Sequence, residues 1–326
     1  MKKLLIALIL ISVTSYQTAI AQNLPSLSDK PGTFEILSRT DYCSNCGFTK
    51  PEMVANLQKI TELVNVIRKN PVLSDIKGFN GRARIYNTYR NPTDRFGVPS
   101  RISFEFSSFF LSKEGKVVFN TIEPPEWSLY VNIMIPGWTD GFNSKHGYFT
   151  APLRKKTIDY GIDVYDRECF VIYDPSRPAY WIPVTVEEAF EAVREDLKNE
   201  KDPVAAQYLK EFIDKEYAEI PAADHNKRAY FGGNVSRISA TPGYGGQDSI
   251  FPYIMKINPE YWDNSRPKSD IQIINFRAVM NKKYLKSVLD DCMTHYNVGS
   301  GCDLPRFELS FGLTDIRNLV PLIEKQ

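Results

Sequence analysis

The chain has 326 residues, with 40 Lys and Arg against 39 Asp and Glu and a formal net charge of +1. This balance lacks the basic excess that phosphate contacts need, so we do not expect nucleic acid as a partner. Apolar residues make up 43% of the sequence and aromatic residues 13%, which is ample for a substantial core. The length suits one large domain or two interlocked ones.

The N-terminus has the pattern of an export signal. Lys2 and Lys3 precede an apolar run over residues 4–13, and residues 19–21 read Ala-Ile-Ala, which fits an A-x-A cleavage site. A membrane span needs roughly 20 apolar residues, which is more than this run supplies. We therefore expect a signal peptide over residues 1–21 and an exported protein, periplasmic or secreted, without a membrane span.

The next segments predict a surface region and a helix. Residues 22–48 are rich in Ser, Pro and Asp and are expected to lie on the surface. Thr49 and Glu52 form a capping-box pattern ahead of apolar residues at helical spacing, and Pro71 ends the run. Lys59 falls on the opposite, polar side, where a substitution is expected to matter little. Residues 49–326 are predicted to form one globular domain, and a subdivision near residues 185–220 is the alternative.

From about residue 81 to residue 175 the apolar pattern has a period of two, with a hairpin turn at residues 113–116. A second capping box at Thr185 and Glu188 and the Asp202-Pro203 pair each predict a helix. Later segments predict strands at 253–257, 271–276 and 307–311, and helices at 282–296 and from Thr314. Because strands and helices are grouped, we expect an α+β fold, a largely antiparallel sheet with helices packed against it.

Five cysteines in an exported chain suggest two disulfides and one thiol. The pairs we expect are Cys43 with Cys46 and Cys292 with Cys302. The alternative joins one of the N-terminal cysteines to one of the C-terminal cysteines. Cys169 lies in an apolar strand and is expected to act as a small buried hydrophobic residue.

Redox and zinc chemistry fit these cysteines less well than a structural role. Gly47 and Phe48 separate the Cys43 pair from the helix cap at Thr49, so the helix N-terminus does not activate the first thiol. A zinc site needs about four ligands, and the sequence has no second C-x-x-C motif and no paired histidines. We expect neither a metal nor a cofactor.

Catalytic motifs are few. The sequence has three histidines and lacks the G-x-S-x-G, H-E-x-x-H and P-loop patterns. Adjacent Asp224 and His225 are one candidate for acid-base chemistry. The others are two carboxylate pairs, Glu123 with Glu126 and Asp166 with Glu168. The spacing of Asp166 and Glu168 could serve a retaining or an inverting glycosidase, although most such pairs are turn or ion-pair residues.

A Pro-x-Tyr-Trp motif occurs twice, within residues 177–183 and 258–264. In an extended segment neighbouring side chains point to opposite sides, so one ring of each pair can enter the core while the other faces a cleft. Packing of all four rings is one interpretation, and an aromatic platform for a sugar or peptide is the other. The four residues are Tyr180, Trp181, Tyr261 and Trp262.

Residues 221–251 lie between the two motifs and lack clear periodicity. The segment is rich in glycine and also in aromatic residues, so we expect an ordered or semi-ordered loop over a cleft, with Trp181 and Trp262 near its ends. Arg228 and Tyr244 complete the predicted ligand-binding set. The favoured hypothesis is a binding or assembly protein for a glycan, a peptide or a partner protein. A secreted hydrolase that uses the acid-base candidates is the alternative.

Overall fold

The structure, a computed structural model, describes residues 27–40, 47–87, 96–119, 126–133, 139–143, 145–151, 154–165, 168–232, 238–242, 244–245, 249–250, 252–278, 283, 287 and 314–324. Its strands, in chain order, are β1 (Phe34–Thr40), β2 (Phe79–Asn87), β3 (Ser100–Leu111), β4 (Val117–Phe119), β5 (Glu126–Val131), β6 (Asp140–Asn143), β7 (Tyr148–Ala151), β8 (Arg154–Asp159), β9 (Ile162–Tyr165), β10 (Cys169–Tyr173), β11 (Trp181–Pro183), β12 (Tyr230–Phe231), β13 (Ile238–Ser239), β14 (Tyr244–Gly245), β15 (Ser249–Ile250), β16 (Tyr253–Ile257) and β17 (Ile273–Arg277).

The helices are placed mostly where capping patterns predict them. Thr49 caps the first, with its hydroxyl accepting from the Glu52 N–H and its own N–H donating to the Glu52 carboxylate, and Thr185 and Glu188 repeat this arrangement. The α-helices are α1 (Lys50–Ile67), α2 (Pro71–Ser74), α3 (Val186–Leu197), α4 (Pro203–Ala218) and α5 (Pro321–Glu324), and the 3₁₀ turns are Leu27–Asp29, Ala222–Asp224, Pro259–Tyr261 and Ile316–Leu319.

The larger sheet has nine strands in the order β1-β2-β3-β5-β17-β10-β9-β8, with β4 paired to β3. Its pairs are antiparallel except that β1 runs parallel to β2, and α1 lies in the connection between these two strands. A parallel pair requires such a crossover connection, whereas a tight hairpin joins only antiparallel strands. The predicted α+β class is confirmed, but the large sheet is mixed.

A second sheet, which the sequence did not predict, has the order β13-β12-β16-β7-β6, with β11 paired to β16. All of its pairs are antiparallel. Two of its strands and the β14–β15 pair fall inside residues 221–251. The described part of that segment therefore contains four two-residue strands, which its composition did not suggest, and its predicted position over a cleft stays a prediction.

Three buried clusters show how the layers pack. The first cluster lies between one face of the larger sheet and a layer formed by α1 and the C-terminal helices. Ile60, Phe104 and Leu319 are among its members. The second, the inter-sheet cluster, lies between the two sheets, and the third joins the smaller sheet to α3 and α4. The described elements therefore stack as helices, sheet, sheet and helices, and the inter-sheet cluster holds all four rings of the repeated motif.

Lys59 corrects one expectation about α1. Its ammonium group forms an ion pair with Asp270, whose side chain is buried and also accepts from the Arg266 guanidinium at 3.0 Å. Arg266 in turn donates to the backbone carbonyl of Ile323 in α5. Lys59 therefore ties α1 to the loop before β17, and its substitution should matter.

Several predicted features lie outside the described residues. These include Cys43, Cys46, Cys292 and Cys302, so the two disulfides stay predictions, as do the strand at 307–311 and most of the helix at 282–296. Cys169 is a buried thiol, 2% exposed, as expected. Among the helices of the described part, none is long and apolar enough to cross a membrane.

Candidate functional site

A cavity of about 410 Å³ lies between the two sheets. Its volume falls in the range of roughly 300–1,000 Å³ that is typical of small-molecule sites. Side chains from both sheets and from the segment between β10 and β11 line the cavity: Asp163, Tyr165, Tyr173, Ala179, Tyr180, Trp181, Pro183, Arg228, Tyr253 and Met255.

Strand alternation places the acidic residue there. Along β9, Ile162 and Val164 pack in the helix-side cluster, so Asp163 and Tyr165 point to the other face of the sheet. Register puts Thr157 of β8 directly opposite Asp163 on that face. The short strand is buried at all four positions, because one face packs on helices and the other on the second sheet.

Asp163 is the centre of a buried hydrogen-bond network. It is 3% exposed. One carboxylate oxygen accepts from the Thr157 hydroxyl at 2.5 Å and from the Tyr173 hydroxyl at 3.4 Å. The other oxygen accepts from the Tyr180 hydroxyl at 2.9 Å, and Tyr180 is 2.7 Å from the Tyr165 hydroxyl. Such bonds allow a carboxylate to lie inside an apolar core.

The pKa of Tyr180 lies well above its ordinary value. Burial is the main cause, and the neighbouring Tyr165 and the Asp163 carboxylate add to it. Tyr180 therefore stays protonated and donates its single hydroxyl proton to Asp163. Tyr165 must then be the donor in the bond between the two tyrosines, so the whole chain of hydroxyls donates toward Asp163.

The aromatic rings divide into packed rings and accessible rings. Trp181 is 5% exposed and has Phe149, Tyr165 and Tyr180 within 4.9 to 5.5 Å, measured between ring centroids. Tyr173 and Tyr253 are only half-buried and also line the cavity. A bound molecule would therefore contact the rings of Tyr173 and Tyr253 more than that of Trp181.

Arg228 is the one cationic residue among those that line the cavity. The side chain is exposed, and its guanidinium lies 5.0 Å from the centre of the Tyr253 ring, a cation–π arrangement. Asp163 is buried at the larger sheet, whereas Arg228 is exposed beside the smaller sheet. The cavity thus has an anionic inner end and a cationic rim.

A clamp around Arg177 fixes the segment that carries Tyr180. Arg177 bonds to Asp174 at 3.3 Å and to Asp263 at 2.6 Å. The pKa of Asp263 is lowered, first by the Ser265 hydroxyl and then by Arg177. Beyond the clamp, Asn258 donates its side-chain amide to the Ala179 carbonyl and its backbone N–H to the Tyr180 carbonyl.

Tyr261 and Trp262, the second motif, lie in the core and not among the residues that line the cavity. The Tyr261 ring is fully buried, and its hydroxyl donates to the Gln272 carbonyl and accepts from the Asp174 N–H. Trp262 is 5% exposed and stacks on Phe96 at 5.6 Å. For Tyr244 the structure describes only the backbone position, in β14.

The other predicted acid-base residues have local structural contacts. Asp224 forms an ion pair with Lys227 at 2.6 Å. The His225 ring lies 3.0 Å from the Ile220 carbonyl and stacks on Tyr217 at 4.1 Å. Asp224 and His225 therefore have local structural contacts in the turn that follows α4.

One member of each carboxylate pair, Glu123 and Asp166, lies outside the described residues. The geometry of neither pair is therefore described. Glu126 bonds to Arg101, Ser103 and Ser128 on the face of the larger sheet that points away from α1. Glu168 begins the turn into β10 with a φ of 54°. The described residues contain no group of three or more His, Cys, Asp or Glu side chains that would hold a metal ion.

Sequence reasoning found Tyr180, Trp181 and Arg228 of the cavity wall but missed its acidic centre. Asp163 lies in the run Gly-Ile-Asp-Val-Tyr, where an apolar strand contains a single carboxylate. A charged residue in such a strand needs hydrogen-bond partners or a site, and this was the signal available. The tyrosines that supply those partners come from three separate segments.

Comparison of the chain with models of known protein families, with curated proteins and with solved structures finds no match in any of the three.

Proposed function

We propose that this protein is an exported saccharide-binding protein whose site is the inter-sheet cavity. The observation that carries the proposal is the combination, in one cavity of about 410 Å³, of half-buried aromatic rings with a buried carboxylate. Sugar rings have apolar C–H faces and polar edges. Tyr173 and Tyr253 suit the faces, while Asp163 and Arg228 suit the hydroxyl groups.

A saccharide fits this cavity better than an extended peptide. A peptide bound by strand addition uses the backbone of a sheet edge and pockets for alternate side chains. Here the polar groups are side chains that converge on one buried carboxylate, with the tyrosines Tyr165, Tyr173 and Tyr180 around it. This arrangement supports recognition of a small ring with several hydroxyl groups.

Titration calorimetry with the full chain tests the proposal, using maltose, cellobiose, N,N′-diacetylchitobiose and the chitosan disaccharide as probes. We expect at least one probe to bind with a stoichiometry of one. Tyr173→Ala should weaken that binding roughly three- to tenfold, the size of one lost ring contact. The control is Tyr160→Ala, which removes a tyrosine that is 65% exposed in the turn between β8 and β9.

Binding that Tyr173→Ala leaves unchanged would place the site elsewhere. Failure of all four disaccharides would contradict the proposed function.

A further inference from the structure

The network around Asp163 has a fixed hydrogen-bond direction. Thr157, Tyr173 and Tyr180 donate to the carboxylate, and Tyr165 donates to Tyr180. A hydroxyl group has one proton, and each of these protons is already used. The inner end of the cavity therefore presents oxygen acceptors, and a bound group there must supply the donors.

The surroundings of this end also favour positive charge. The hydroxyl groups of Tyr165, Tyr173 and Tyr180 surround the carboxylate, and the rings of these tyrosines line the cavity together with Trp181. The faces of aromatic rings attract cations, and a carboxylate accepts hydrogen bonds from an ammonium group more strongly than from a neutral hydroxyl. The carboxylate and the rings line the same cavity.

We propose that the inner end of the cavity binds a protonated amine and that the saccharide is an amino sugar. This inference rests on the proposed function and narrows it to one class of ligand. The amine lies against Asp163 among the rings, and the sugar ring extends toward Tyr253. Arg228, exposed at the rim, donates to the hydroxyl oxygens at the far side of the sugar. An ammonium group near Arg228 would meet a like charge, so the cavity also fixes the orientation of the sugar.

Three monosaccharides of nearly the same shape test the inference: glucosamine, glucose and N-acetylglucosamine. Titrations are made with the full chain at about pH 6, where an amine of this kind is protonated. The cation–π and charge-assisted contacts predict that glucosamine binds about tenfold more tightly than the other two sugars. The comparison needs no variant, so it does not depend on whether a substituted protein folds.

Asp163→Asn then tests the role of the carboxylate, because the amide keeps the shape and removes the charge. We expect the preference for glucosamine over glucose to fall from about tenfold to less than twofold. Asp159→Asn on the neighbouring strand is the matched control, since Asp159 is exposed and pairs with Arg317. The control should keep the full preference.

Equal binding of glucose and glucosamine would overturn the amine assignment and leave saccharide binding intact. Tighter binding of N-acetylglucosamine than of glucosamine would do the same. If none of the three monosaccharides binds, the amine assignment also fails, and the disaccharide titrations decide the proposed function independently.

Discussion

Asp163 and Trp262 are both buried between the two sheets, yet their surroundings differ. Asp163 adjoins a cavity and collects hydroxyl donors, whereas Trp262 is surrounded by the apolar groups of the inter-sheet cluster. The two Pro-x-Tyr-Trp motifs differ in the same way, because only Tyr180 and Trp181 reach the cavity. An identical sequence motif therefore has two different environments, which pattern alone does not distinguish.

Trp262→Ala should act on stability. The ring is 5% exposed and stacks on Phe96, so its removal leaves a large void. Core substitutions of this kind cost about 3–5 kcal/mol of the free energy of unfolding. Denaturant unfolding of the variant measures the loss.

The matched control for Trp262→Ala is Tyr208→Ala, at a ring that is 70% exposed on α4. This change should alter stability by less than about 0.5 kcal/mol. A Trp262→Ala variant as stable as the control would show that the ring does not belong to the core.

At the scale of elements, the N-terminus of α3 is joined to the smaller sheet. The Glu188 carboxylate accepts from the Thr185 backbone N–H at 2.9 Å and pairs with Lys256 of β16. Burial acts to raise the pKa of Glu188, but the bonds from Lys256 and Thr185 outweigh it, and the pKa is lowered. The same carboxylate thus completes a helix cap and attaches the helix to a strand.

This lowered pKa predicts how stability changes with pH. The contribution of Glu188 is fully present above the unfolded-state value of about 4.3 and is lost as the pH falls through the lower folded-state value. Glu188→Gln should cost less than about 1 kcal/mol at neutral pH, because solvent screens the partly exposed pair with Lys256, and should flatten the fall of the melting temperature between about pH 5 and pH 3.

Glu187→Gln, at the exposed neighbouring position of the same helix turn, is the control and should keep the wild-type pH profile. If the melting temperatures of Glu188→Gln and wild type fell in the same way over the acid range, the stabilising role assigned to the Glu188 carboxylate would be contradicted.

Local elements were more predictable than their assembly. The caps of α1 and α3 depend on residues three positions apart, so Thr49 with Glu52 and Thr185 with Glu188 identify them directly. The parallel pairing of β1 with β2 and the pairing of β11 with β16 join segments far apart in sequence. Periodicity indicates that a segment is a strand, but it contains no information about which partner the strand takes.

At the scale of the whole molecule, the cavity depends on the stacking of two sheets. Asp163 comes from one sheet and Tyr253 from the other, so the site exists only once both are assembled. The sequence predicted two of the aromatic residues of the wall, Tyr180 and Trp181, because their motif is unusual. It did not predict the second sheet, and for that reason it did not place the carboxylate beside the rings.

The predicted disulfides are also a property of the whole chain. We expect two bridges among the four cysteines outside the described residues. Cys169 should be the one thiol, and its 2% exposure should make it unreactive until the protein unfolds. Thiol counting in native and denatured protein should give no reactive group and one, respectively. Three reactive thiols in the native protein would contradict the prediction of two bridges.

The most direct test of the inter-sheet site is a crystal structure of the full chain soaked with glucosamine. We predict density for one sugar ring in the cavity, packed between Tyr173 and Tyr253, with its amine within hydrogen-bond distance of the Asp163 carboxylate. A sugar ring bound elsewhere on the protein, with the cavity holding only water, would contradict the assignment of this site.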